Sequence, residues 1–332
     1  MVRRVTGWVP DPAQMRLMPP VSGNAVNGLG ERVRRRARHV YWADEPAAIP
    51  HGDVQLWFYR RNDHPAINAE RARRQAAQAR PPAPVAKDGP ARSPAEWSAA
   101  VKAAARRLGA DAVGIARLDP AWLFEGRSVA QRFIVVLGIA MDHGELDTAP
   151  DLPAAVEVMR QYTRGVTVAR DLCDWLAGMG VAATPETGPM ANDVNLIPAA
   201  IAAGLGELGR HGSVINRDLG ASFRLASVLT DLEVAPDAPD DFGADGFCTH
   251  CRLCTDACPP DAIFPIKQWV RGDLKWYVNF DRCLPFFNET AGCGICLAVC
   301  PFSNPATGPA LVEKLERRRA RQAAGVSPPG SG

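Results

Sequence analysis

Apolar residues in the middle of the chain recur with two periods. Trp97, Val101, Ala104 and Leu108 fall three or four apart, which predicts the buried face of a helix. Ser93 can cap that helix, Pro94 suits its first position, Glu96 can close a capping box, and Gly109 ends it. Two runs rich in β-branched residues follow, at 112–118 and 133–139, and read as buried strands. Pro153 opens a helical run to Gly178, in which Val168, Leu172, Trp175 and Met179 form one apolar stripe. A further helix is predicted from Pro198 and a strand over 223–229. Helices and strands alternate, so residues 93–240 are expected to form an α/β-type body.

The flanks follow neither period. Residues 1–92 are rich in proline and carry an arginine-dense run, Arg32, Arg34, Arg35, Arg36 and Arg38, followed by the patch Gln55-Leu56-Trp57-Phe58-Tyr59. They read as a solvated arm that wraps the body and pins itself by those aromatics. The alternative is a basic docking surface for a partner or an acidic ligand. Within them, 79–92 is a Pro-rich linker. Residues 306–332 read as a charged helical tail with a Gly/Pro/Ser end.

Composition changes this picture little. The 332 residues suffice for one large or two smaller domains. With 38 basic and 36 acidic residues, no global attraction to nucleic acid or membrane follows. No stretch reaches the roughly 20 apolar residues of a membrane span. Arg3-Arg4 has no apolar segment after it, since 5–20 holds four prolines and Asp11. A cytoplasmic protein is expected.

The cysteines change the picture most. Eight of nine lie between Cys248 and Cys300. They read Cys248-x2-Cys251-x2-Cys254-x3-Cys258-Pro259 and Cys283-x9-Cys293-x2-Cys296-x3-Cys300-Pro301. In the bacterial ferredoxin run, three cysteines hold one [4Fe–4S] cluster and the fourth ligates the other. The expected sets are therefore Cys248, Cys251, Cys254 and Cys300, and Cys283, Cys293, Cys296 and Cys258. Disulfides fit poorly, because nothing marks a secreted protein, and zinc does not need two interlocking runs. Pro259 and Pro301 are expected to stop the short helices carrying the fourth ligands. The ninth cysteine, Cys173, reads as a buried structural thiol in an apolar helix.

Gly204-Leu205-Gly206-Glu207-Leu208-Gly209 matches the G-x-G-x-x-G dinucleotide pattern. That pattern binds a dinucleotide only between a strand and a helix, and here it follows a helical run. It reads instead as a helix end turning tightly past something bulky. No histidine sits in a D-x-H-x-x-G sequence, so that route to ligating cobalamin through an imidazole is missing.

Several stretches, in order, resemble the corrinoid-dependent reductive dehalogenase family. They are GADAVGIARLDPAW at 109–122, MDHGELDTAP at 141–150, AIAAGLGELGRHG at 200–212, TDLEV at 230–234 and the cysteine runs with Cys283 displaced. The resemblance covers roughly residues 95–305. It implies an α+β chain, with a nitroreductase-like corrinoid-binding α/β body followed by a two-cluster bacterial ferredoxin-like domain over 241–305. It implies base-off cobalamin without a protein ligand beneath cobalt, and cob(I)alamin-mediated reductive cleavage of a carbon–halogen bond in a small organohalide. Tyr162 matches the family's proton donor, Arg224 the arginine that supports it, and Asn192 is the nearest match to a site asparagine. Gly204, Gly206, Gly209, Arg210, His211 and Gly212 match the turn against the corrinoid.

This chain resembles a soluble, stand-alone member that takes electrons from a separate low-potential donor, a ferredoxin, flavodoxin or reductase. Two other readings stay open. One is an epoxyqueuosine reductase-like tRNA-modifying enzyme, whose catalytic carboxylate would correspond to Glu186 in Glu186-Thr187-Gly188-Pro189. Against it, the glycine turn differs from that family's and no second tRNA-binding domain is evident, so nucleic acid is not the expected partner. The other is a corrinoid-free iron–sulfur electron-transfer subunit.

Overall fold

The structure, a computed structural model, describes residues 5–189 and 193–323. Its strands are β1 (Ala112–Arg117), β2 (Phe133–Ala140), β3 (Ala183–Thr187), β4 (Glu207–Leu208), β5 (Val214–Ile215), β6 (Phe223–Thr230), β7 (Gln268–Val270) and β8 (Asp273–Lys275). Four of them make the central sheet, in the order β1-β2-β6-β3, and every neighbouring pair is antiparallel. The body thus alternates helix and strand in sequence without a parallel sheet.

Both faces of this sheet are covered. Val135, Leu137 and Ile139 of β2 point into a core with Trp97, Val101 and Ala104 of the helix Pro94–Arg107 and with Val168, Leu172 and Leu176 of the helix Leu152–Gly178. Ile134 and Val136 point the other way, onto Leu196, Ala199 and Ala200 of the helix Leu196–Ala202. Alternate residues of a strand face opposite sides, so a strand packed on both must be apolar at every position. The run at 133–139 has this property for that reason. The capping box expected at Ser93 and Glu96 is present, with Ser93 N donating to Glu96 Oε2 at 2.8 Å. The helix expected from Pro198 begins two residues earlier, because Asn195 caps it and proline is tolerated in a first turn.

Residues 5–92 are helical over much of their length, with Gly52–Arg61 and Pro65–Ala79 the longest pieces. Val54 and Phe58 are buried beside Tyr41 and Leu284. Polar ties fasten this segment to the helix Phe280–Glu289: Trp8 Nε1 donates to Glu289 Oε2 (2.8 Å), Tyr41 OH to Asn288 Oδ1 (2.6 Å) and Asn62 Nδ2 to the Asn288 carbonyl (2.7 Å). The segment wraps the body as expected, but as a packed layer and not a solvated arm. After Ala79 the chain runs extended along the helix Leu152–Gly178, where Ala86 N donates to Ala177 O.

The cysteine region is built from short helices, Ala244–Cys248, Leu253–Ala257, Phe280–Glu289 and Ile295–Ala298, with the β7–β8 hairpin between them. Cys258 caps the second helix directly ahead of Pro259, whereas the last ends at Ala298, before Pro301. Cys173 is buried, and burial pushes its thiol up to about 12. In the described part of the tail, the helix Gly308–Ala323 is tied back through the ion pairs Glu316–Arg217 and Arg319–Asp241.

One carboxylate joins the sheet body to the first cysteine. Glu207 of β4 accepts the backbone N–H groups of Phe242, Gly243 and Ala244 on Oε1 (3.0, 2.7 and 2.8 Å) and of Asp245 on Oε2 (3.0 Å). These are the orphan donors at the start of the helix that ends on Cys248. Replacing Glu207 by Ala strands them, and a loss of about 2–4 kcal/mol is expected. Glu207→Gln, which still accepts, should lose less. Anaerobic denaturant unfolding of the two variants checks the ranking.

Candidate active site

The long helix Leu152–Gly178 approaches β6 closely because Gly165 faces Ala226, where an added Cβ would come within 3.2 Å of the alanine methyl. Tyr162 lies one turn before Gly165, and Arg224 two residues before Ala226. The close approach therefore brings the two together, with the Arg224 guanidinium 5.6 Å from the centre of the Tyr162 ring. Arg224 Nε also donates to Met141 Sδ at 3.3 Å, and among the described residues no carboxylate pairs with it. Gly188 also stands against the ring, where any Cβ would press on Tyr162 Cε1 at 2.7 Å. Asn192, the third expected site residue, lies outside the described residues.

Tyr162 and Arg224 open on a cavity of about 1000 Å³. Three parts of the chain line it. The N-terminal segment supplies Trp42, Phe58, Tyr59, Arg71 and Arg74; the body supplies Tyr162, Ile197, Ile201, His211, Gly212 and Arg224; the cysteine region supplies Cys258, Cys283, Cys293 and Cys296. The contribution of the first segment was not foreseen. Its buried positions Ile67, Glu70 and Arg74 have helical spacing, but two of the three are charged, so an apolar pattern does not reveal them.

Of the residues matched to the glycine turn, Gly204, Gly206, Gly209, Arg210, His211 and Gly212, the last two reach the cavity, beside Leu208. Gly206, at φ +131°, passes against the Ile215 carbonyl, and Gly204 against that of Ala238. The bulky neighbour is thus the protein itself. Gly209 lies against the His211 ring. Arg210 faces away from the cavity. It is fully buried, donates through Nε and Nη2 to the Cys248 carbonyl and through Nη1 to that of Pro265, and lies 4.6 Å over the Trp276 ring. His211 is buried, and burial alone pushes it down to about 4, so the ring is neutral. Its Nδ1 accepts from Ser213 N at 3.2 Å, which assigns the proton to Nε2, a donor with no partner among the described residues. Glu186 is buried in β3 and accepts the backbone N–H groups of Asp193 (2.7 Å) and Val194 (3.3 Å), so it braces the backbone ahead of Asn195.

The eight clustered thiols fall into two groups of electrostatic neighbours, and none is oxidised to a disulfide. Cys254 feels Cys248 and Cys251, and Cys300 feels Cys248 and Cys254. Cys283 feels Cys293 and Cys258, and Cys296 feels Cys293, Cys283 and Cys258. Cys258 therefore sits with the second run, although it ends the first. Cys254 and Cys296 connect the groups. Burial pushes Cys254, Cys283, Cys293 and Cys300 up to about 12 and Cys248 to about 11. Such thiols become thiolates only beside a strong positive charge, which a bound metal centre provides. No three His, Cys, Asp or Glu side chains among the described residues converge on a single-ion site.

Comparison with known proteins follows the same division. Residues 247–304 match the family of 4Fe-4S dicluster domains. A tetrachloroethene reductive dehalogenase of Sulfurospirillum multivorans is 30% identical over 257 residues, 63% of this chain and 51% of that protein. Another, from Desulfitobacterium hafniense, is 32% identical over 213 residues, 60% of this chain and 38% of that protein. A solved catabolic reductive dehalogenase in complex with 3-bromo-4-hydroxybenzoic acid superposes with a TM-score of 0.74 at 26% identity, covering 93% of this chain and 48% of that one. The chain is a reductive dehalogenase homologue. It spans about half the length of these relatives. Epoxyqueuosine reductase is related as well, with one from Leadbetterella byssophila 33% identical over 109 residues, 31% of this chain and 35% of that protein.

A mixed helix-and-sheet body leads into the residues that match the 4Fe-4S dicluster domain. Among the described residues, no helix of the homologue is long and apolar enough to cross a membrane. A corrinoid fits the cavity on two counts: the volume suits a large organic ligand, and the orphaned His211 Nε2–H is a buried donor that such a ligand would satisfy. The position of Arg210 makes a separate prediction. Arg210→Met leaves the buried Cys248 carbonyl without its donor and should cost about 1–3 kcal/mol. Iron should be lost from the Cys248 group while ligand binding in the cavity persists. Iron analysis beside corrinoid uptake by the variant checks this.

Proposed function

We propose that this chain is a reductive dehalogenase-type oxidoreductase, carrying cobalamin and two [4Fe–4S] clusters and cleaving the carbon–halogen bond of a small organohalide. One observation carries the reading: a single cavity has Tyr162 and Arg224 in its wall together with Cys258, Cys283, Cys293 and Cys296. The net reaction takes two electrons and one proton, releases halide and leaves hydrogen on carbon. Cobalamin, when bound, would supply the cobalt chemistry of that cleavage, with electrons at potentials the iron–sulfur range covers.

The chain's own residues do the rest. Cys248, Cys251, Cys254 and Cys300 hold the cluster away from the cavity, and Cys258, Cys283, Cys293 and Cys296 the one against it. Electrons enter from an external low-potential donor. His211 and Gly212 would line the corrinoid's place. Tyr162 donates its hydroxyl proton, and Arg224 stabilises the phenolate left behind. The tRNA-base reductase alternative would need Glu186 as a cavity acid, whereas Glu186 is engaged with backbone N–H groups.

Two variants test the assignment. Tyr162→Phe removes one hydroxyl and should keep clusters and corrinoid while halide release from haloaromatics, driven by a chemical reductant, falls about 10²–10⁴-fold. Wild-type turnover in this variant would move the proton source elsewhere. Cys258→Ala should damage the cluster of Cys283, Cys293 and Cys296 and spare the other, read by iron content and EPR of the reduced protein. Selective loss of the cluster held by Cys248, Cys251 and Cys254 would refute the crossover.

A further inference from the structure

The helix Pro65–Ala79 turns two arginines toward the cavity, Arg71 and Arg74. Arg74 is 5% exposed, and its Nε and Nη1 have no hydrogen-bond partner. Among the described residues, no carboxylate pairs with it. Its neighbour Arg73 shows the contrast, since that side chain is exposed and pairs with Glu70 at 2.7 Å. The charges that Arg74 feels are the phenols of Tyr59 and Tyr162, and Arg71 in turn feels the positive charge of Arg74. Burial pushes both guanidinium groups down. Arg71 Nη1 reaches the Asn62 carbonyl (3.4 Å) and Asn68 Oδ1 (3.2 Å), its Nε is unpartnered, and Asp63 is the one carboxylate it feels. A buried cation without a counterion is costly to fold around. Arg74, joined on the same helix face by the half-buried Arg71 and opening on the same cavity, marks a place for an anion.

We propose that Arg74, assisted by Arg71, receives the acid group of an aromatic organohalide, so that the chain selects anionic haloaromatics over neutral halogenated alkenes. This rests on the dehalogenase reading and narrows its substrate class. The aromatic part follows from the walls beside the arginines. Trp42 stands edge-on to Phe58 (5.3 Å) and Tyr59 (6.0 Å), Phe58 stacks on Phe287 (5.9 Å), and Arg71 lies 4.9 Å over the Tyr59 ring. Flat aromatic walls favour a flat ring, and a guanidinium forks onto a carboxylate or phenolate. The corrinoid's phosphodiester is the other anion that the cavity could receive. Arg271 and Lys275 of the cavity wall would be available to it; Lys275 feels Arg271, both feel Asp273, and neither feels Arg74.

The test uses protein with both clusters reconstituted and cobalamin loaded, titrated anaerobically with 3-bromo-4-hydroxybenzoate and with tetrachloroethene by calorimetry. Arg74→Met should weaken benzoate binding by at least about 10-fold, leave tetrachloroethene binding and corrinoid retention unchanged, and melt no lower than wild type without ligand. Arg74→Lys should recover part of the affinity. A structural arginine would instead lower the melting temperature. Equal benzoate affinity in wild type and Arg74→Met overturns the proposal. So does corrinoid loss with benzoate affinity retained, which would give Arg74 to the phosphate, or a lower melting temperature with every ligand weakened. If the wild type takes up no corrinoid and releases no halide, the dehalogenase reading fails. Benzoate titration of that cobalt-free protein then decides the anion site separately: binding lost in Arg74→Met supports it, and no binding overturns it.

Discussion

Everything at the site hangs on the burial of β2 and β6 between two helical layers. Ile134, Val135, Val136, Leu137 and Ile139 have no exposed surface. Each such side chain contributes about 1.5–3 kcal/mol on burial, an upper figure because the unfolded chain already hides some surface. This packing fixes the sheet against the helix Leu152–Gly178, and Gly165 sets how close they come. The distance between Tyr162 and Arg224 is a consequence. Neither residue needs to attract the other for the pair to exist; the cores on either side of the sheet hold them in place. A methyl group at position 165 would shift the pair by pushing helix and sheet apart, and one at 188 would press on the Tyr162 ring itself.

Charge satisfaction separates residues that hold the protein together from residues that await a ligand. Arg210 and Arg74 are both buried arginines beside the cavity region. Arg210 spends its guanidinium on two carbonyls and the face of Trp276, and so joins the body to the loop after Cys248. Arg74 has two guanidinium nitrogens without partners. The same distinction applies to Glu207 and Glu186, whose oxygens take backbone N–H groups, and to His211, whose Nε2 has no partner. A motif match treats the members of Gly204–Gly212 alike. Their hydrogen bonds sort them into a turn, a brace and a cavity wall.

Much of the fold was legible in the residues. The helix over 94–107, the strands at 112–117, 133–140 and 223–230 and the long helix to Gly178 lie within a residue or two of the pattern that predicts them. Strand direction was not legible, because a strand buried on both faces reads the same in a parallel or an antiparallel sheet. Cysteine spacing leads one to expect Cys258 with Cys283, Cys293 and Cys296, since the ligand crossover is a property of the run, and Cys283 and Cys296 feel its charge. The cavity's N-terminal wall escaped for a physical reason. Ile67, Glu70, Arg71 and Arg74 line one helix face, and charged residues on such a face read as solvated unless something covers them. Here the helix Leu152–Gly178 covers them, with Thr163 Oγ1 bonded to the Glu70 carbonyl.

That covering explains why the site draws on three separate stretches of chain. The body alone supplies a tyrosine–arginine pair on an open helix–sheet edge. The cysteine region alone supplies buried thiols that stay protonated without a positive charge beside them. The segment 5–92 closes the space between, and it is held by hydrogen bonds from Trp8, Tyr41 and Asn62 to Glu289 and Asn288 on the helix that also carries Cys283. Whatever occupies the cavity therefore lies between the element bearing Cys283 and the segment fastened to it. Changes in the N-terminal layer should reach the thiols through the helix Phe280–Glu289.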